Sequence, residues 1–370
     1  MKPKKVCILM SLTGGGHRSV AQAIVRAARC VEGLEATIRD PFANGSPSIV
    51  DRMVHLYAPI IVSYPPLWGL IFHGSDHPRL FSGLMRLAGL FHHGKLARIL
   101  KAEQPDLIVS VHPLCNHLAL SAAAAAGIRA SLMTVVTELV SAHAGWVADG
   151  TTAYVAATES IKNGLMARGA DPARIHVLGL PIDERFGCVH DMPSELRAQL
   201  GLRTDLPVVL LSGGGEGAGP LVTSIEAISS ASMPLQLMVV CGRNQRVLRQ
   251  IQSRRFQIPV QTLGFVDNMP QLLHAADVVC LKAGSVSVAE ALVAHRPIVV
   301  LRELPGQEKG NGRLVVDNHR GFQARTTREL VQALRTLIKD PHLREEMGSN
   351  GATILSPCAA TSVAKLALEL

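Results

Sequence analysis

Two glycine-rich loops, each directly after an apolar segment, contain the residue types best suited to chemistry. The first is SLTGGGHRSV at 11–20, in which Gly14, Gly15 and Gly16 precede His17. Glycines let backbone N–H groups approach an anion or a sugar at the start of a helix, and a histidine there could transfer a proton near neutral pH. A tight turn from a strand to a helix, with a polar loop histidine, explains the same stretch without any function.

The second loop, LLSGGGEGAGP at 210–220, also follows an apolar run. Ligands of doubly wound domains bind at the carboxyl ends of the strands. Two glycine loops that face one cleft therefore predict a donor on one side and an acceptor on the other. A single dinucleotide is the competing hypothesis, with Asp40 as the carboxylate that binds its ribose, although neither loop reads GxGxxG.

Two motifs in the second half of the chain carry side chains that could bind a nucleotide sugar. In CLKAGSVSVAEAL, Glu290 could accept hydrogen bonds from two ribose hydroxyls, but Ser287 and Glu290 also have the spacing of a capping box at the start of a helix. In ELPGQEKGN, Gln307 and Glu308 could bind sugar hydroxyls, or they could belong to a solvated turn.

Strands alternate with helices in two successive series, which predicts parallel sheets covered by helices on both faces. Apolar residues at helical spacing place the first helix at RSVAQAIVRAARC and leave His17 in the loop before it. The first strand series is KVCILM, LEATIRD, DLIVSVH, ASLMTVVT, TAYVAAT and IHVLG; the second is PVVLLSGGGEG, LQLMVVCG, VQTLGF, DVVCLKAG and PIVVL. We therefore expect two doubly wound α/β domains, at 1–185 and 186–370, with the last helix as a candidate for return to the N-terminal domain.

Composition favours a globular protein of the cytoplasm. The 370 residues are 48% hydrophobic and 18% charged, which suffices for two ordinary cores. The seven cysteines are scattered without a CxxC pair, which indicates reduced thiols. The apolar stretch behind the basic MKPKK is too short for a signal peptide, and no run of about 18 apolar residues predicts a membrane span.

The net charge of +8 fits a nucleic-acid partner, an anionic membrane surface or plain solubility. Aromatic residues make up only 4% and no recognition motif is present, so we expect no nucleic-acid partner. The N-terminal half, 1–185, is mildly basic, with 18 Lys and Arg against 13 Asp and Glu. His92, His93, His112 and His117 lack a matched carboxylate pattern, and we expect no metal site.

Seven motifs, in order over nearly the whole chain, resemble those of one enzyme family. They are SLTGGGHRSVAQAI, VVTELVSAHAGWV, GLPI, LLSGGGEGAGP, VVCGRN, GFVDNMPQLLHAADVVCLKAGSVSVAEAL and PGQEKGN. The family is the diacylglycerol glycosyltransferases, which include plant monogalactosyldiacylglycerol synthases and bacterial processive glucosyltransferases; the peptidoglycan lipid N-acetylglucosaminyltransferases are more distantly similar. The resemblance implies a GT-B fold of two Rossmann-like domains that face a cleft, a UDP-sugar donor bound mainly by the C-terminal domain, and inversion at the anomeric carbon without an obligatory metal or other cofactor.

The resemblance also implies roles for individual residues. His17 is the candidate general base, Glu290 the ribose ligand, and Gln307 and Glu308 the ligands of the donor sugar. Backbone N–H groups of the second glycine loop and of the helix after KAG could stabilise the charge of departing UDP. The other donor-binding residues that the resemblance implies are Gly15, Gly16, Gly214, Gly215, Glu216, Arg243, Phe265, Val266, Ala283, Gly284 and Ser285.

The sequence departs from the family pattern at two places. Glu138 stands where relatives usually have Asp after VVT, one methylene longer, and KAGSVS replaces the commoner KAGPGT. The first change bears on the acceptor site, for which His143 and Trp146 keep their spacing, and Trp146 could instead belong to the core. The second change leaves the identity of the donor sugar open.

The Pro-broken apolar stretch YAPIIVSYPPLWGLIFHGS, at 57–75, is the candidate acceptor and membrane element. Tyr64, Trp68 and Phe72 recur in it at four-residue spacing. Interfacial aromatic residues next to basic side chains would hold an enzyme on an anionic leaflet, whereas a core helix explains the same spacing. The basic residues downstream are Arg79, Arg86 and Lys95.

We therefore expect a UDP-sugar-dependent hexosyltransferase that transfers galactose or glucose to the hydroxyl of diacylglycerol. The expected location is peripheral, at the cytoplasmic face of the membrane. The alternative enzyme transfers N-acetylglucosamine to a polyprenyl-linked muropeptide. A non-catalytic regulator that binds a UDP-sugar is the alternative of another class, although both glycine loops, His17 and Glu290 are retained.

Overall fold

The structure is a computed structural model that describes residues 2–11, 15–42, 60, 64–188, 192–350 and 354–370, without the side chains of 65 and 86–92. The chain divides into two compact units. The first comprises Met1–Asp183, Leu304–Gln307 and Cys358–Leu370, and the second comprises Glu184–Glu303 and Glu308–Pro357.

Six parallel strands form the sheet of the first unit, in the order β2-β1-β3-β4-β5-β6. Their bounds are Lys4–Leu9 (β1), Leu34–Arg39 (β2), Leu107–Ser110 (β3), Ser131–Val135 (β4), Ala153–Ala156 (β5) and Ile175–Val177 (β6). The inner strands β3, β4 and β5 are almost wholly buried, as expected of parallel strands covered on both faces.

The helices of the first unit follow or precede these strands. Their bounds are Gly15–Ala28 (α1), Pro65–Ser75 (α2), Pro78–Glu103 (α3), Pro113–Ala126 (α4) and Glu159–Met166 (α5), with 3-10 turns at Ala144–Trp146 and Pro172–Arg174. The expectation that His17 lies in a loop is wrong, because α1 begins at Gly15 and includes His17 in its first turn. Glycine has a low helix propensity and adds nothing to an apolar pattern, so the pattern begins only at Val20.

Six parallel strands also form the sheet of the second unit, in the order β12-β11-β10-β7-β8-β9. Their bounds are Val208–Ser212 (β7), Gln236–Val240 (β8), Val260–Leu263 (β9), Val278–Lys282 (β10), Ile298–Arg302 (β11) and Gly321–Gln323 (β12). Sequence analysis missed β12, since three residues that include a glycine are too short for a pattern. Both sheets are doubly wound, which confirms the predicted fold class.

The helices of the second unit complete the α/β alternation. Their bounds are Pro193–Gln199 (α6), Leu221–Ser230 (α7), Gln245–Gln252 (α8), Met269–Ala275 (α9), Ser285–Val293 (α10), Asn311–Asp317 (α11), Thr327–Lys339 (α12) and Pro341–Ser349 (α13), with a 3-10 turn at Glu184–Phe186. The capping-box interpretation of Ser287 and Glu290 is wrong, because α10 begins at Ser285 after the N-cap residue Gly284. Ser287 and Glu290 are therefore both helical residues of α10, and neither Ser287 nor Glu290 caps its N-terminus.

The last helix, Ala359–Glu369 (α14), belongs to the first unit. It packs against α1, and the Lys4 ammonium donates a hydrogen bond to the carbonyl oxygen of Leu368 at 3.1 Å. Among the residues that the structure describes, no helix has the length and apolar character needed to cross a membrane.

Candidate active site

Each sheet reverses its strand order at one point, between β1 and β3 in the first unit and between β7 and β10 in the second. In an open α/β sheet the loops at the carboxyl ends of such strands form the binding crevice. In the first unit these loops lead to His17 and His112. In the second they contain Gly214 and Gly284. The fold therefore places one candidate group of residues at the crevice of each unit.

His17 is held by groups that follow two neighbouring strands. Its Nδ1 atom lies 2.7 Å from the carbonyl oxygen of Val111, after β3, and 3.1 Å from the hydroxyl oxygen of Thr137, after β4. A carbonyl oxygen can only accept a hydrogen bond, so Nδ1 carries the proton of the neutral ring. The Nε2 atom then has the free lone pair and is the atom that can accept a proton.

Burial keeps His17 neutral at pH 7. It lowers the pKa of His17 to about 4, and the hydrogen bond to the Val111 backbone opposes this shift only in part. The ring of His112 stands edge-on to that of His17, with 4.4 Å between the two ring centroids. Burial, and then the neighbouring His17, lower the pKa of His112 as well. Because a positive charge on His17 would disfavour one on His112, His17 helps to keep the ring of His112 neutral.

His112 is fixed in the opposite tautomer. It is the N-cap residue of α4, and its Nδ1 atom accepts a hydrogen bond from the backbone N–H of Leu114 at 3.2 Å. The proton of the neutral ring is therefore on Nε2. The same helix start thus sets the tautomer of His112 and holds its ring against His17.

Glu138, the residue after Thr137, carries a buried carboxyl group. The residue is 8% exposed, and its Oε2 atom has no hydrogen-bond partner in the part of the chain described. Burial raises the pKa of Glu138 to about 8, while contacts with the Trp146 side chain and the His143 backbone act in the opposite direction. The group is therefore mostly protonated at pH 7 and could donate a hydrogen bond as well as accept one.

His143 fixes the 3-10 turn that follows Glu138. Its Nδ1 atom accepts a hydrogen bond from the N–H of Gly145 at 3.0 Å, so its proton is on Nε2. Nε2 in turn lies 3.2 Å from the carbonyl oxygen of Phe72, at the end of α2. The imidazole of His143 therefore connects this turn to α2.

Trp146 is completely buried, at 0% exposure. It packs in a cluster of apolar residues that includes Val136 and Tyr154, and its ring centroid is 6.5 Å from that of His17. Trp146 therefore packs in the core, as the alternative hypothesis has it, since a fully buried side chain cannot touch a membrane surface. The indole instead forms part of the surroundings of the histidine.

Asp76 fastens the junction between α2 and α3 to the same turn. Its carboxylate accepts a hydrogen bond from the N–H of Ala144 at 2.7 Å. The Arg168 guanidinium makes two contacts with it, at 2.7 Å from Nη2 and 3.3 Å from Nε. A two-point contact of this kind defines the orientation of both groups, so the end of α2 is firmly held.

The predicted acceptor and membrane residues of α2 divide between two faces. Phe72 packs against His143, with 4.6 Å between their ring centroids, and Trp68 is half-buried on the same face. The exposed apolar side chains are Leu67, Leu70 and Ile71. Of the stretch 57–75, residues 57–59 and 61–63 lie outside the described part of the chain, as does the side chain of Arg86.

Glycines in the second unit allow the loops after β7 and β8 to approach each other closely. Gly214 and Gly242, after β7 and β8, have φ angles of +68° and +55°. A Cβ atom on Gly242 would lie 2.5 Å from the carbonyl oxygens of Gly214 and Gly215. The N–H of Arg243 donates a hydrogen bond to the carbonyl oxygen of Gly215 at 2.9 Å. Part of the glycine pattern is therefore required by the turn itself.

Arg243 links this loop to the one after β9. Its Nη1 atom lies 3.1 Å from the Glu216 carboxylate, and its guanidinium lies 4.4 Å from the centroid of the Phe265 ring. Phe265 is exposed, and Val266 follows it. An exposed ring that a guanidinium holds in place is a surface on which a planar base could stack.

The start of α10 offers backbone N–H groups to an anion. The N-cap residue Gly284 provides no side chain to bind the first N–H groups of this nine-residue helix. The preceding loop is held by Asn311, whose Nδ2 atom donates to the carbonyl oxygen of Ala283 at 2.7 Å and to the Ser285 hydroxyl at 3.1 Å. The loop thus has a defined conformation before any ligand binds.

One carboxyl group lies next to this helix start, and a second lies further along α10. Glu308 is buried and forms an ion pair with Lys282, the last residue of β10. A Cβ atom on Gly284 would lie 2.9 Å from the Lys282 ammonium, so glycine leaves room for the pair. Glu290 lies in the second turn of α10, and burial alone raises its pKa to about 8.

The structure thus brings the sequence-predicted residues into two groups. His17, Glu138, His143 and Trp146 belong to the first unit, and the donor-binding residues from Gly214 to Glu290 and Glu308 belong to the second. Gly15 and Gly16 begin α1, and Gly14 lies outside the described residues. Asp40 accepts a hydrogen bond from the N–H of Phe42 at 2.8 Å, which gives this carboxylate a role in a turn.

Sequence analysis missed residues that hold the predicted ones in place. Thr137 and His112 contact His17, Asn311 holds the loop before α10, and Lys282 pairs with Glu308. Thr137 and Lys282 were inside quoted motifs, VVTEL and KAG, but only the fold shows which partners they meet. In the described ranges, no three His, Cys, Asp or Glu side chains come together in a way that could hold a metal ion.

Protein-family models and known proteins that are similar to this chain indicate its family. Residues 17–182 match the family model of monogalactosyldiacylglycerol (MGDG) synthase, and residues 194–353 match the model of glycosyl transferases group 1. Over 343 residues the chain is 36% identical to the probable monogalactosyldiacylglycerol synthase 2, chloroplastic, of Oryza sativa subsp. japonica, with 89% of this chain and 72% of that protein covered.

A second relative and a solved structure complete the comparison. The probable monogalactosyldiacylglycerol synthase, chloroplastic, of Glycine max is 32% identical over 342 residues, which cover 90% of this chain and 64% of that protein. The chain therefore spans less than two thirds of the length of this relative. The crystal structure of MurG from Acinetobacter baumannii is similar at a TM-score of 0.63 and 17% identity, with 100% of each chain covered.

The two doubly wound sheets, each with its glycine-containing loops at the point of strand reversal, define a protein of the GT-B fold class. Within that class, the chain belongs to the monogalactosyldiacylglycerol synthase family.

Proposed function

We propose that the chain is a UDP-sugar-dependent glycosyltransferase that transfers a hexose to the free hydroxyl of diacylglycerol, with galactose as the first candidate. The observation that carries the proposal is the state of His17. Its Nδ1 proton is committed to the Val111 carbonyl, at 2.7 Å, and burial holds the pKa of the ring well below 7. Nε2 is then available to take the hydroxyl proton of an acceptor.

The reaction is a direct displacement at the anomeric carbon. The acceptor oxygen forms the new glycosidic bond as the bond between the anomeric carbon and the UDP oxygen breaks, so the configuration inverts. The acceptor proton passes to Nε2 of His17, and the electron pair of the broken bond leaves with UDP. In this scheme, the N–H groups at the start of α10 and those of the loop after β7 stabilise the diphosphate.

Apart from Gln307, the residues that contact the donor in this proposal belong to the second unit. Phe265, held under Arg243, stacks with the uracil ring. Glu290 accepts hydrogen bonds from the ribose hydroxyls, and Gln307 and Glu308 contact the hexose. The support for these roles is the match to the family motifs, together with the positions of Phe265, Glu290 and Glu308 beside the loops of the second unit.

We also propose that the protein works at a membrane surface, because its acceptor is a lipid. Leu67, Leu70 and Ile71 on the exposed face of α2 are the residues that would enter the interface, with the basic side chains of Arg79 and Lys95 nearby in sequence. Leu67, Leu70 and Ile71 thus take the place of Trp68 and Phe72 as the proposed membrane-contacting residues, because the side chains of Trp68 and Phe72 pack against the protein.

The test is to incubate the purified protein and diacylglycerol vesicles with UDP-galactose, UDP-glucose and UDP-N-acetylglucosamine, and to identify the lipid products by mass spectrometry. We expect a monohexosyl diacylglycerol from one or both hexose donors. The matched control is His17→Ala, which should bind UDP as the wild type does but turn over at least about 10²-fold more slowly. A product formed only from UDP-N-acetylglucosamine and a polyprenyl-linked acceptor, or UDP binding without any turnover, would overturn the proposal.

A further inference from the structure

Asn311 is completely buried at the start of α11, and its side-chain amide contacts the loop that leads into α10. Its Nδ2 atom lies 2.7 Å from the carbonyl oxygen of Ala283 and 3.1 Å from the hydroxyl oxygen of Ser285. A carbonyl oxygen can only accept a hydrogen bond, so the nitrogen of the amide must be the atom that faces Ala283. All three residues belong to the second unit, so the contact lies within one compact body.

The amide of Asn311 commits both of its N–H groups to these two hydrogen bonds. Its Oδ1 atom is buried and has no hydrogen-bond partner in the part of the chain that the structure describes. An acceptor left unpaired in the interior costs free energy, and proteins accept such costs mainly at functional sites. Asn311 therefore serves this loop as a donor, at a cost that the core alone does not explain.

The contact with Asn311 determines how the Ser285 hydroxyl can donate. Its oxygen accepts the Nδ2 proton, and among the described residues no acceptor receives its own proton. The hydroxyl proton is therefore available and is directed away from Asn311. Because Ser285 is only partly buried, a ligand at the start of α10 can reach it.

The hydroxyl lies among main-chain donors. Ser285 is the first residue of α10, and the first N–H to bond inside the helix is that of Val288, to the carbonyl oxygen of Gly284 at 2.9 Å. The N–H groups of residues 285–287 therefore have no partner within the helix. In the commoner KAGPGT, Pro stands at position 285, and Pro has neither an N–H nor a hydroxyl. This chain thus has two additional hydrogen-bond donors at the helix start.

We propose that Asn311 is a positioning residue for the donor diphosphate, because it holds the Ser285 hydroxyl with its proton directed to a phosphate oxygen. The proposal rests on the proposed function, in which the start of α10 binds the diphosphate of UDP. It adds one side-chain donor to the main-chain donors, and the residue that orients it. A hydrogen bond to a charged phosphate is stronger than one between neutral groups.

The experiment compares the affinities of UDP and uridine by calorimetric titration, without acceptor, for wild type and variants. Ser285→Ala keeps the N–H and removes only the hydroxyl. It should weaken UDP by about tenfold, the scale of one hydrogen bond to a charged group, and leave uridine unchanged, since uridine carries no phosphate. Ser285→Thr keeps a hydroxyl and should bind UDP as the wild type does.

Asn311→Leu keeps the volume of the side chain and removes its donors. It should weaken UDP and not uridine, and its effect should be smaller in the Ser285→Ala background, because part of it passes through the hydroxyl. Asn318→Ala is the matched control, since the amide of Asn318 donates to the carbonyl oxygen of Leu314 at the other end of α11. UDP affinity should not change in it. Circular dichroism and the urea midpoint verify that each variant is folded.

The outcomes separate this proposal from the proposed function. If the wild type binds UDP and Ser285→Ala binds it equally well, the role of the hydroxyl is overturned and the proposed function stands. Equal losses of UDP and uridine would also overturn it, because they would indicate a displaced loop instead of a lost phosphate contact. Additive losses in the double variant would overturn the positioning role of Asn311. If the wild type does not bind UDP, the proposed function fails and this proposal fails with it.

Discussion

The ring of His112 stands edge-on to the ring of His17, with their centroids 4.4 Å apart, and the two imidazoles carry their protons on opposite nitrogens. The hydrogen bonds that impose this arrangement come from the backbone of Val111 and the backbone of Leu114. The proton-accepting atom of His17 is therefore defined by a main-chain group, the carbonyl of Val111 after β3. Main-chain groups do not vary with sequence, so the tautomer of His17 should survive most substitutions around it.

The first prediction concerns the pH profile. A general base must be unprotonated, so kcat/KM is lost as the pH falls through the pKa of the free enzyme. Burial lowers the pKa of His17 to about 4. With UDP-sugar kept saturating, so that donor affinity does not limit the rate, the acid limb of kcat/KM for the acceptor should therefore have its midpoint near that value rather than near 6.5. Activity measured between pH 4 and 8 tests this, with the urea midpoint at each pH as the control for unfolding. An acid limb centred near 6.5 would contradict it.

The second prediction concerns Thr137, whose hydroxyl oxygen lies 3.1 Å from His17 Nδ1. Thr137→Val keeps the shape and removes the hydroxyl, and it should lower kcat by about 3- to 10-fold through a less well oriented imidazole. Thr137→Ser, which keeps the hydroxyl, is the matched control and should stay near wild type. UDP affinity should not change in either variant. Equal turnover in the Val and Ser variants would mean that the Val111 carbonyl orients the ring without help.

The third prediction concerns stability and Glu138. Its folded-state pKa is raised to about 8 by burial, so the folded protein binds more protons than the unfolded chain between about pH 4.5 and 8. The contribution of this group therefore decreases as the pH rises through that window. Glu138→Gln removes the titration, and its free energy of unfolding should fall less than that of the wild type between pH 6 and 8, by about 1–2 kcal/mol. Urea titrations at both pH values measure the difference, and parallel pH dependence would refute it.

The fourth prediction concerns Glu290, whose burial raises its pKa to about 8. A carboxylate accepts ribose hydroxyl hydrogen bonds better than the protonated acid, so UDP affinity should rise as the pH increases from 6.5 to 8.5. Glu290→Gln should weaken UDP by about tenfold and abolish this trend. Ser287→Ala, on the same helix, is the control and should bind UDP normally. Titration calorimetry that finds the same pH trend in Glu290→Gln would exclude the ribose role.

The fifth prediction concerns the exposed face of α2. Replacing Leu67, Leu70 and Ile71 together by Ser should reduce co-sedimentation with anionic vesicles and lower glycosylation of vesicle-borne diacylglycerol, because the apolar area available to the interface is removed. UDP affinity and the urea midpoint should stay close to those of the wild type, since these side chains are exposed. Retained vesicle binding by the folded triple variant would place the membrane contact on another surface.

The sequence was sufficient to predict the two doubly wound sheets, because the strands are short apolar runs with glycine-rich or polar ends. It was not sufficient for the surroundings of His17. The groups that hold its ring, Val111 and Thr137, are 94 and 120 residues away along the chain, and only the order of β1, β3 and β4 makes them neighbours. Nor could the sequence predict that the segment 304–307 belongs to the first unit. Its contact with α2, through the hydrogen bond from Trp68 to Gln307, leaves no periodic pattern in the sequence.

The return of α14 to α1 has a consequence for how the protein is made on the ribosome. The first unit needs Cys358–Leu370 to cover α1 and to give the Lys4 ammonium its partner at Leu368. These residues are synthesised after the whole of the second unit. The second unit can therefore complete its own core during translation, whereas the first unit must wait until Cys358–Leu370 have left the ribosome, with the apolar surface of α1 uncovered until then.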